Sequence, residues 1–112
     1  MSEAASDCIN LARLRERFDD DQDLLAEIFL VFISESPGRR ADMEAALAAG
    51  DLARLAGLSH SLKGVAATLF AEPLRQAAYA LEQAARAGDA PAAQAATAVV
   101  LDLLDRTAAC LG

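Results

Sequence analysis

Apolar residues recur every three or four positions along most of the chain, which is the spacing of amphipathic helices. The first such stretch runs from Ser6 to Phe18 and predicts a short helix that Ser6 or Asp7 caps. An acidic run, DDDQD, follows it. That run lacks the glycine and the distal glutamate of a calcium-binding loop, so it predicts a solvated turn before the next helix.

The second stretch, Asp23 to Ser36, is apolar on more than one side. One stripe contains Leu24, Leu25, Ile28, Phe32 and Glu35, and outside it lie Phe29, Leu30, Val31 and Ile33. A helix of this kind is buried on most sides or presents an apolar patch to a partner. Pro37 is expected to bend this helix or to restart it.

The triplet Ala-Gly-Asp occurs twice, at Gly50-Asp51 and at Gly88-Asp89, and each predicts a glycine that ends one helix and an aspartate that caps the next. Pro73 suits the first turn of a further helix. Its predicted buried stripe is Leu74, Ala77, Ala78, Leu81 and Ala85, and that of the last helix is Ala95, Val99, Leu103 and Arg106 or Thr107. No strand pattern is present. The expected fold is all-α: an antiparallel four-helix bundle with an additional short N-terminal helix, in a single domain over residues 1–112.

Composition narrows the possible partners. The net charge of −7 argues against nucleic acid and anionic membranes, and the longest nearly uncharged run, IFLVFIS, is too short to span a bilayer. Cys8 and Cys110 lie near opposite ends without a metal-binding spacing, so two free thiols are expected. The N-terminus lacks the features of a signal peptide. These features predict a cytoplasmic protein, and the initial methionine favours a chain that works alone.

His60 is the only histidine, and it faces away from the core in the predicted helix from Leu52 to Leu69. The large apolar residues of this helix lie about 140° to 220° around the axis from it. The residues on its own face are all small, namely Ala53, Ala56, Gly57, Gly64 and Ala67. Because each glycine within a helix costs about 1 kcal/mol relative to alanine, this bare surface suggests that another macromolecule must come close.

An idle surface histidine would not explain the two glycines, and a metal site needs more ligands than one histidine. Ser59 and Ser61 are wrongly placed around the helix for a hydrolase, and no acid that orients His60 is identifiable. A neutral imidazole is a nucleophile near pH 7, and Lys63, one turn away, can balance the charge of a phosphoryl group. The pattern therefore indicates a phosphoryl carrier without a metal or other cofactor of its own.

The motif HSLKG, with LAGLS before it and VAATLFAEPLRQAAYALE after it, resembles the histidine-containing phosphotransfer (HPt) domain, and the resemblance covers about Leu11 to Leu104. It implies that His60 is phosphorylated and that Lys63 and Gly64 let the donor approach. Leu62 matches a core leucine, and Leu81-Glu82 matches a later conserved pair. The resemblance also implies a relay between aspartates of receiver domains, in response regulators or hybrid histidine kinases, without binding of ATP. Magnesium would belong to the receiver.

Two positions depart from the family pattern. Phe70 stands where the family often has glycine, and Thr68 stands where asparagine is common. Phe70 is expected either to let the helix continue or to place an aromatic ring at the rim of the docking face. For docking we expect a small apolar surface beside His60, to which Phe29 or Ile33 contributes, on a monomeric protein.

Two alternatives remain from the sequence. The dimerisation domain of a sensor histidine kinase also exposes a histidine on a helical bundle, but it usually has an acid directly after that histidine, where this chain has Ser61. A structural adaptor bundle without phosphotransfer is the other alternative.

Overall fold

The structure is a computed structural model and describes residues 8–112. Its helices are α1 (Leu11–Arg17), α2 (Gln22–Ala48), α3 (Leu52–Thr68), α4 (Glu72–Arg86) and α5 (Ala90–Leu111). The last four pack in a ring, with α3 between α2 and α4 and with α5 closing the bundle against α2. No strand occurs within residues 8–112. The predicted all-α bundle with an additional short N-terminal helix is confirmed.

Each helix boundary has a local chemical cause. Gly50 and Gly88 adopt φ values of +66° and +70°, the left-handed conformation that glycine reaches without strain. The side chain of Asp51 accepts a hydrogen bond from the Arg54 amide at 3.0 Å, and that of Asp89 caps α5 in the same way. Both predicted turns are therefore confirmed.

Helix α1 begins at Leu11 and has a cap of its own. Asn10 caps α1 by accepting a hydrogen bond from the Arg13 amide at 3.1 Å. The alternative caps, Ser6 and Asp7, lie outside the described residues. In the acidic run that follows α1, Asp21 caps α2, as expected of a turn that leads into a helix.

Helix α2 continues through Pro37 without a break, so the expected restart at this residue does not occur. Proline removes only one backbone donor from the helix. The helix spans 27 residues and packs against both α3 and α5, so tertiary contacts hold it on both sides of the proline.

The buried face of α5 agrees with the predicted one at Thr107, and Leu103 packs against the core, but the other predicted positions differ. Val99 is 53% exposed and Ala95 is exposed, so neither belongs to the core. The buried face instead comprises Ala93, Thr97, Val100, Leu101, Leu104, Thr107 and Leu111. Two threonines are tolerated there because each hydroxyl donates to a carbonyl one turn earlier in the helix.

The two cysteines are joined in a disulfide, which corrects the expectation of free thiols. Cys8 and Cys110 are 102 positions apart in the chain, yet their Cα atoms are 6.7 Å apart. The bundle returns the end of α5 to the segment before α1, a proximity that sequence spacing alone does not reveal.

Phe70 does not prolong α3, which ends at Thr68. Its backbone has φ +53°, a left-handed conformation in which glycine would be unstrained. Its carbonyl accepts a hydrogen bond from the Asn10 amide at 2.9 Å, and the Arg13 guanidinium lies 5.1 Å from its ring centroid. The aromatic ring thus packs against α1 and helps to fix that helix on the bundle.

Within the described residues, no helix is both long enough and apolar enough to cross a membrane.

Candidate functional site

His60 lies in the middle of α3 with its side chain 61% exposed, on the outward face that the helical phase predicts. Gly57 and Gly64 are exposed, and a Cβ atom added to either would meet no atom within 4 Å. Internal packing therefore does not require either glycine, and the space above this part of α3 is open.

The small residues around His60 are not all at the surface. Ala53 and Ala67 are exposed, whereas Ala56 is only 7% exposed and belongs to the core. This corrects the inclusion of Ala56 in the docking surface. The fully buried residues of α3 include Leu55, Ser59, Leu62 and Ala66.

Ser59 is excluded as a nucleophile by its burial. Its hydroxyl donates to the carbonyl of Leu55 at 2.9 Å and lies equally close to that of Ala56. With no exposed surface, it reaches neither solvent nor a substrate.

An acid that orients His60 is present, although the sequence analysis identified none. Glu82 of α4 is 4% exposed, and its Oε2 lies 2.8 Å from Nδ1 of His60. Since an ionised carboxylate only accepts hydrogen bonds, Nδ1 carries the proton in the neutral imidazole and Nε2 keeps its lone pair. The arrangement presents a nucleophilic Nε2 at the surface.

Glu82 has two cationic partners as well. Lys63 donates from Nζ to Oε1 at 2.6 Å, and Arg86 lies with Nη2 2.7 Å from Oε2. The hydrogen bond from Lys63 is the largest cause of a lowered pKa at Glu82. Burial opposes this effect, while the hydrogen bond from His60 and the charges of Lys63 and Arg86 lower the pKa further. The carboxylate therefore stays ionised over the physiological range.

Lys63 also borders a hollow between α3 and α4. Its Nζ lies 5.1 Å from the ring centroid of Tyr79, a cation–π contact, and Tyr79 is 47% exposed. The hollow has a volume of about 240 Å³ and is lined by Lys63, Gly64, Ala67, Arg75 and Tyr79. An exposed aromatic ring and an arginine thus lie beside the part of α3 that follows His60.

The α2 residues expected beside His60 lie elsewhere. Phe29 is 5% exposed, and with Ile33 it lines a groove that ends at Leu111 and Gly112, so both point towards α5. This placement corrects their inclusion in a docking surface beside His60.

The side of α2 that faces α3 carries different apolar residues. Val31 is 49% exposed, and Ile28 is partly buried against the core. They share an apolar groove of about 280 Å³ with Val65 and Thr68 of α3, and the groove has Glu27, Phe32, Glu35 and Leu69 as its other lining residues.

Among residues 8–112, no group of three or more histidine, cysteine or acidic side chains is arranged to hold a metal ion.

The chain matches one family model among known proteins. A family model described as the Hpt domain matches residues 27–110. The matched segment contains His60, Lys63, Glu82 and Arg86, which are the residues of the ionic cluster described above. No curated protein and no solved structure matches the chain.

Proposed function

Because the chain belongs to the Hpt domain family, we propose that it relays a phosphoryl group from the aspartate of one receiver domain to that of another through His60. Hpt domains carry phosphoryl groups on histidine in phosphorelays, interact with receiver domains and have no kinase activity of their own. The identification of His60 as the carrier, and of receivers as both donor and acceptor, is the proposal made here.

The observation that carries the proposal is the hydrogen bond between His60 Nδ1 and the buried Glu82. In the forward step, the Nε2 lone pair attacks phosphorus and a P–N bond forms. The P–O bond of the acyl phosphate breaks, and the aspartate leaves as a carboxylate. The imidazole ring becomes positively charged, and the Glu82 carboxylate stabilises that charge at Nδ1. The reverse step passes the phosphoryl group to the second receiver.

Lys63 has two roles in this proposal. Its ammonium holds Oε1 of Glu82, and it lies one helical turn from His60, where it can offset the charge of the dianionic phosphoryl group. Its side chain is 25% exposed, so the group is accessible from the His60 face.

We propose that receivers dock over Ala53, Gly57, Gly64 and Ala67, beside His60. The exposed ring of Tyr79 and the side chain of Val31 extend this surface on either side of α3. The protein acts as a monomer and a single domain in this proposal, and the surface is small because each receiver must be released. Magnesium, which the chemistry of the receiver would require, is held by that partner.

A cytoplasmic location is part of the proposal because phosphorelay proteins meet their receivers there. In a reducing compartment the Cys8–Cys110 disulfide of the structure would be reduced to two thiols. Thiol labelling in intact cells would therefore report the compartment as well as the state of the pair.

The test is a transfer assay against the receivers of the source organism, each first phosphorylated with acetyl phosphate. Wild-type protein should become labelled, and the label should be acid-labile. His60→Gln should remain unlabelled while its unfolding free energy stays within about 0.5 kcal/mol of wild type, as for most surface substitutions. Equal acid-labile labelling of His60→Gln would contradict the proposal, and binding without labelling of the wild type would support the adaptor alternative.

A further inference from the structure

Two permanently charged side chains, Lys63 and Arg86, contact the single carboxylate of Glu82. Lys63 occupies Oε1, whereas Arg86 and the imidazole of His60 share Oε2, at 2.7 and 2.8 Å respectively. The Glu82 side chain is only 6% exposed. Two permanent positive charges therefore face one buried negative charge.

A buried carboxylate that loses its only cationic partner is strongly destabilising, because burial removes the water that would otherwise solvate it. If Lys63 were the only permanent cation on Glu82, a movement of the ammonium towards an incoming phosphoryl group, while the imidazole is still neutral, would leave the carboxylate without a counter-ion. Arg86 removes that obstacle, since its guanidinium stays on Oε2 when Oε1 is released.

The two cations differ in their freedom to move. Lysine carries a compact ammonium on a flexible four-carbon stem, and its three donors can change partners easily. Arg86 is four residues from Glu82 on the same helix, a spacing that holds the two side chains together. Lys63 and His60 lie three residues apart on α3, a spacing at which side chains are neighbours, so the flexible lysine stem can carry the ammonium towards a group on the imidazole.

We infer that Arg86 is a positioning residue that keeps Glu82 paired while Lys63 moves to the phosphoryl group on His60. The inference rests on the proposed function and deepens it. Arg86 acts through Glu82, and its effect on the reaction requires that Lys63 is present.

The experiment measures the rate at which phosphoramidate phosphorylates His60. In this reaction Nε2 attacks phosphorus, the P–N bond of the donor breaks and ammonia leaves with a proton from solvent. Because phosphoramidate is small, the rate does not depend on receiver docking. The variants are Arg86→Gln, Arg86→Lys, Lys63→Gln and the Arg86→Gln/Lys63→Gln double variant.

Arg86→Gln should slow labelling by about fivefold when Lys63 is present and should have almost no further effect on the rate in the Lys63→Gln background, which is the coupling expected of groups on one carboxylate. The double variant should be less stable than either single variant, because it leaves the buried Glu82 without a permanent cation. Arg86→Lys should restore most of the rate, because it restores the second charge. Arg106→Gln is the matched control: it breaks an exposed i,i+4 pair with Asp102 on α5 and should leave the rate unchanged.

Equal slowing by Arg86→Gln with and without Lys63 would overturn the inference, because Arg86 would then act on its own. An unchanged rate in Arg86→Gln would overturn it too. Neither result would contradict the proposed function, which is tested separately by receiver-dependent labelling of the wild-type protein. Thermal unfolding of every variant, followed by circular dichroism, shows whether the rates compare folded proteins.

Discussion

Glu82 is hydrogen-bonded to His60 although 22 positions separate them in the chain. The pairing requires α3 and α4 to lie side by side in one register, with the short turn at Leu69–Ala71 between them. His60 is thus oriented by the neighbouring helix, whereas the small residues on its own helix leave the imidazole accessible.

Replacement of the orienting acid should impair the chemistry at His60. Glu82→Gln removes the charge that stabilises the imidazolium. It also leaves an amide that can either donate to Nδ1 or accept from it, so labelling should slow by about tenfold or more. Nitrogen chemical shifts of the imidazole should show a larger share of the tautomer protonated at Nε2. The control is Glu44→Gln, which alters an exposed pair on α2. Wild-type rate and tautomer in Glu82→Gln would show that Glu82 is not the orienting group.

A larger residue at Gly64 should hinder the approach of a receiver without changing the reactivity of His60 itself. Gly64→Ala should stabilise the protein by up to about 1 kcal/mol, because a Cβ there meets no atom within 4 Å and alanine favours the helix. Gly64→Leu should block transfer from a receiver while leaving labelling by phosphoramidate unchanged. Gly38→Leu is the matched control, since Gly38 also has open space around its missing Cβ but lies on α2. Receiver transfer at the wild-type rate in Gly64→Leu would refute the docking surface.

The carboxylates of α4 should make stability depend on pH in the acid range. Hydrogen bonds from Arg75 and then Gln76 lower the pKa of Glu72 from 4.5 to about 2, and the pKa of Glu82 is also lowered. A lowered pKa in the folded state contributes stability above the unfolded value, and that contribution is lost as pH falls through the folded value. The urea concentration at the unfolding midpoint should therefore fall as pH drops below about 4.5 towards 2.

Added salt should distinguish the contribution of Glu72 to stability from that of Glu82. Glu72 and Arg75 are exposed, so added salt should weaken their contribution, whereas the contribution of the buried Glu82 should persist. Comparison of Glu72→Gln with Glu82→Gln at low and high salt is the measurement. An acid transition in Glu82→Gln identical to that of the wild type would contradict the role of this residue.

Reduction of the disulfide should lower the unfolding free energy. Cys8 and Cys110 close a loop that spans almost the whole chain, so the chain-entropy model predicts a loss of about 4.7 kcal/mol on reduction. Urea unfolding with and without dithiothreitol measures it, and the Cys8→Ser/Cys110→Ser variant should not respond to the reductant. Two titratable thiols in untreated, urea-unfolded protein would show that the pair is not bonded.

The sequence predicted those features that depend on local spacing. Helical phase placed His60 outwards, and the two Ala-Gly-Asp triplets placed the turns. The cluster around Glu82 was missed because it depends on the register between two helices. A signal was present nevertheless: Glu82 directly follows Leu81 and lies one turn from Ala78 and Ala85, so it is a charged residue within an apolar stripe. The buried face of α5 was misjudged in part, because threonine side chains can lie in the core when their hydroxyls are satisfied within the helix.

The contacts of Phe70 bear on where this chain can be cut or fused without losing part of its packing. The family match begins at residue 27, whereas the ring of Phe70 and its carbonyl are engaged by Arg13 and Asn10. A glycine at this position could end α3 with no partner, but a phenylalanine in a left-handed conformation needs the cover that α1 provides. A gene fusion or deletion with its junction at residue 27 would therefore remove the partner of Phe70 while keeping every residue of the phosphoryl site. We therefore expect a stable fragment of this chain to begin before α1 and not at residue 27.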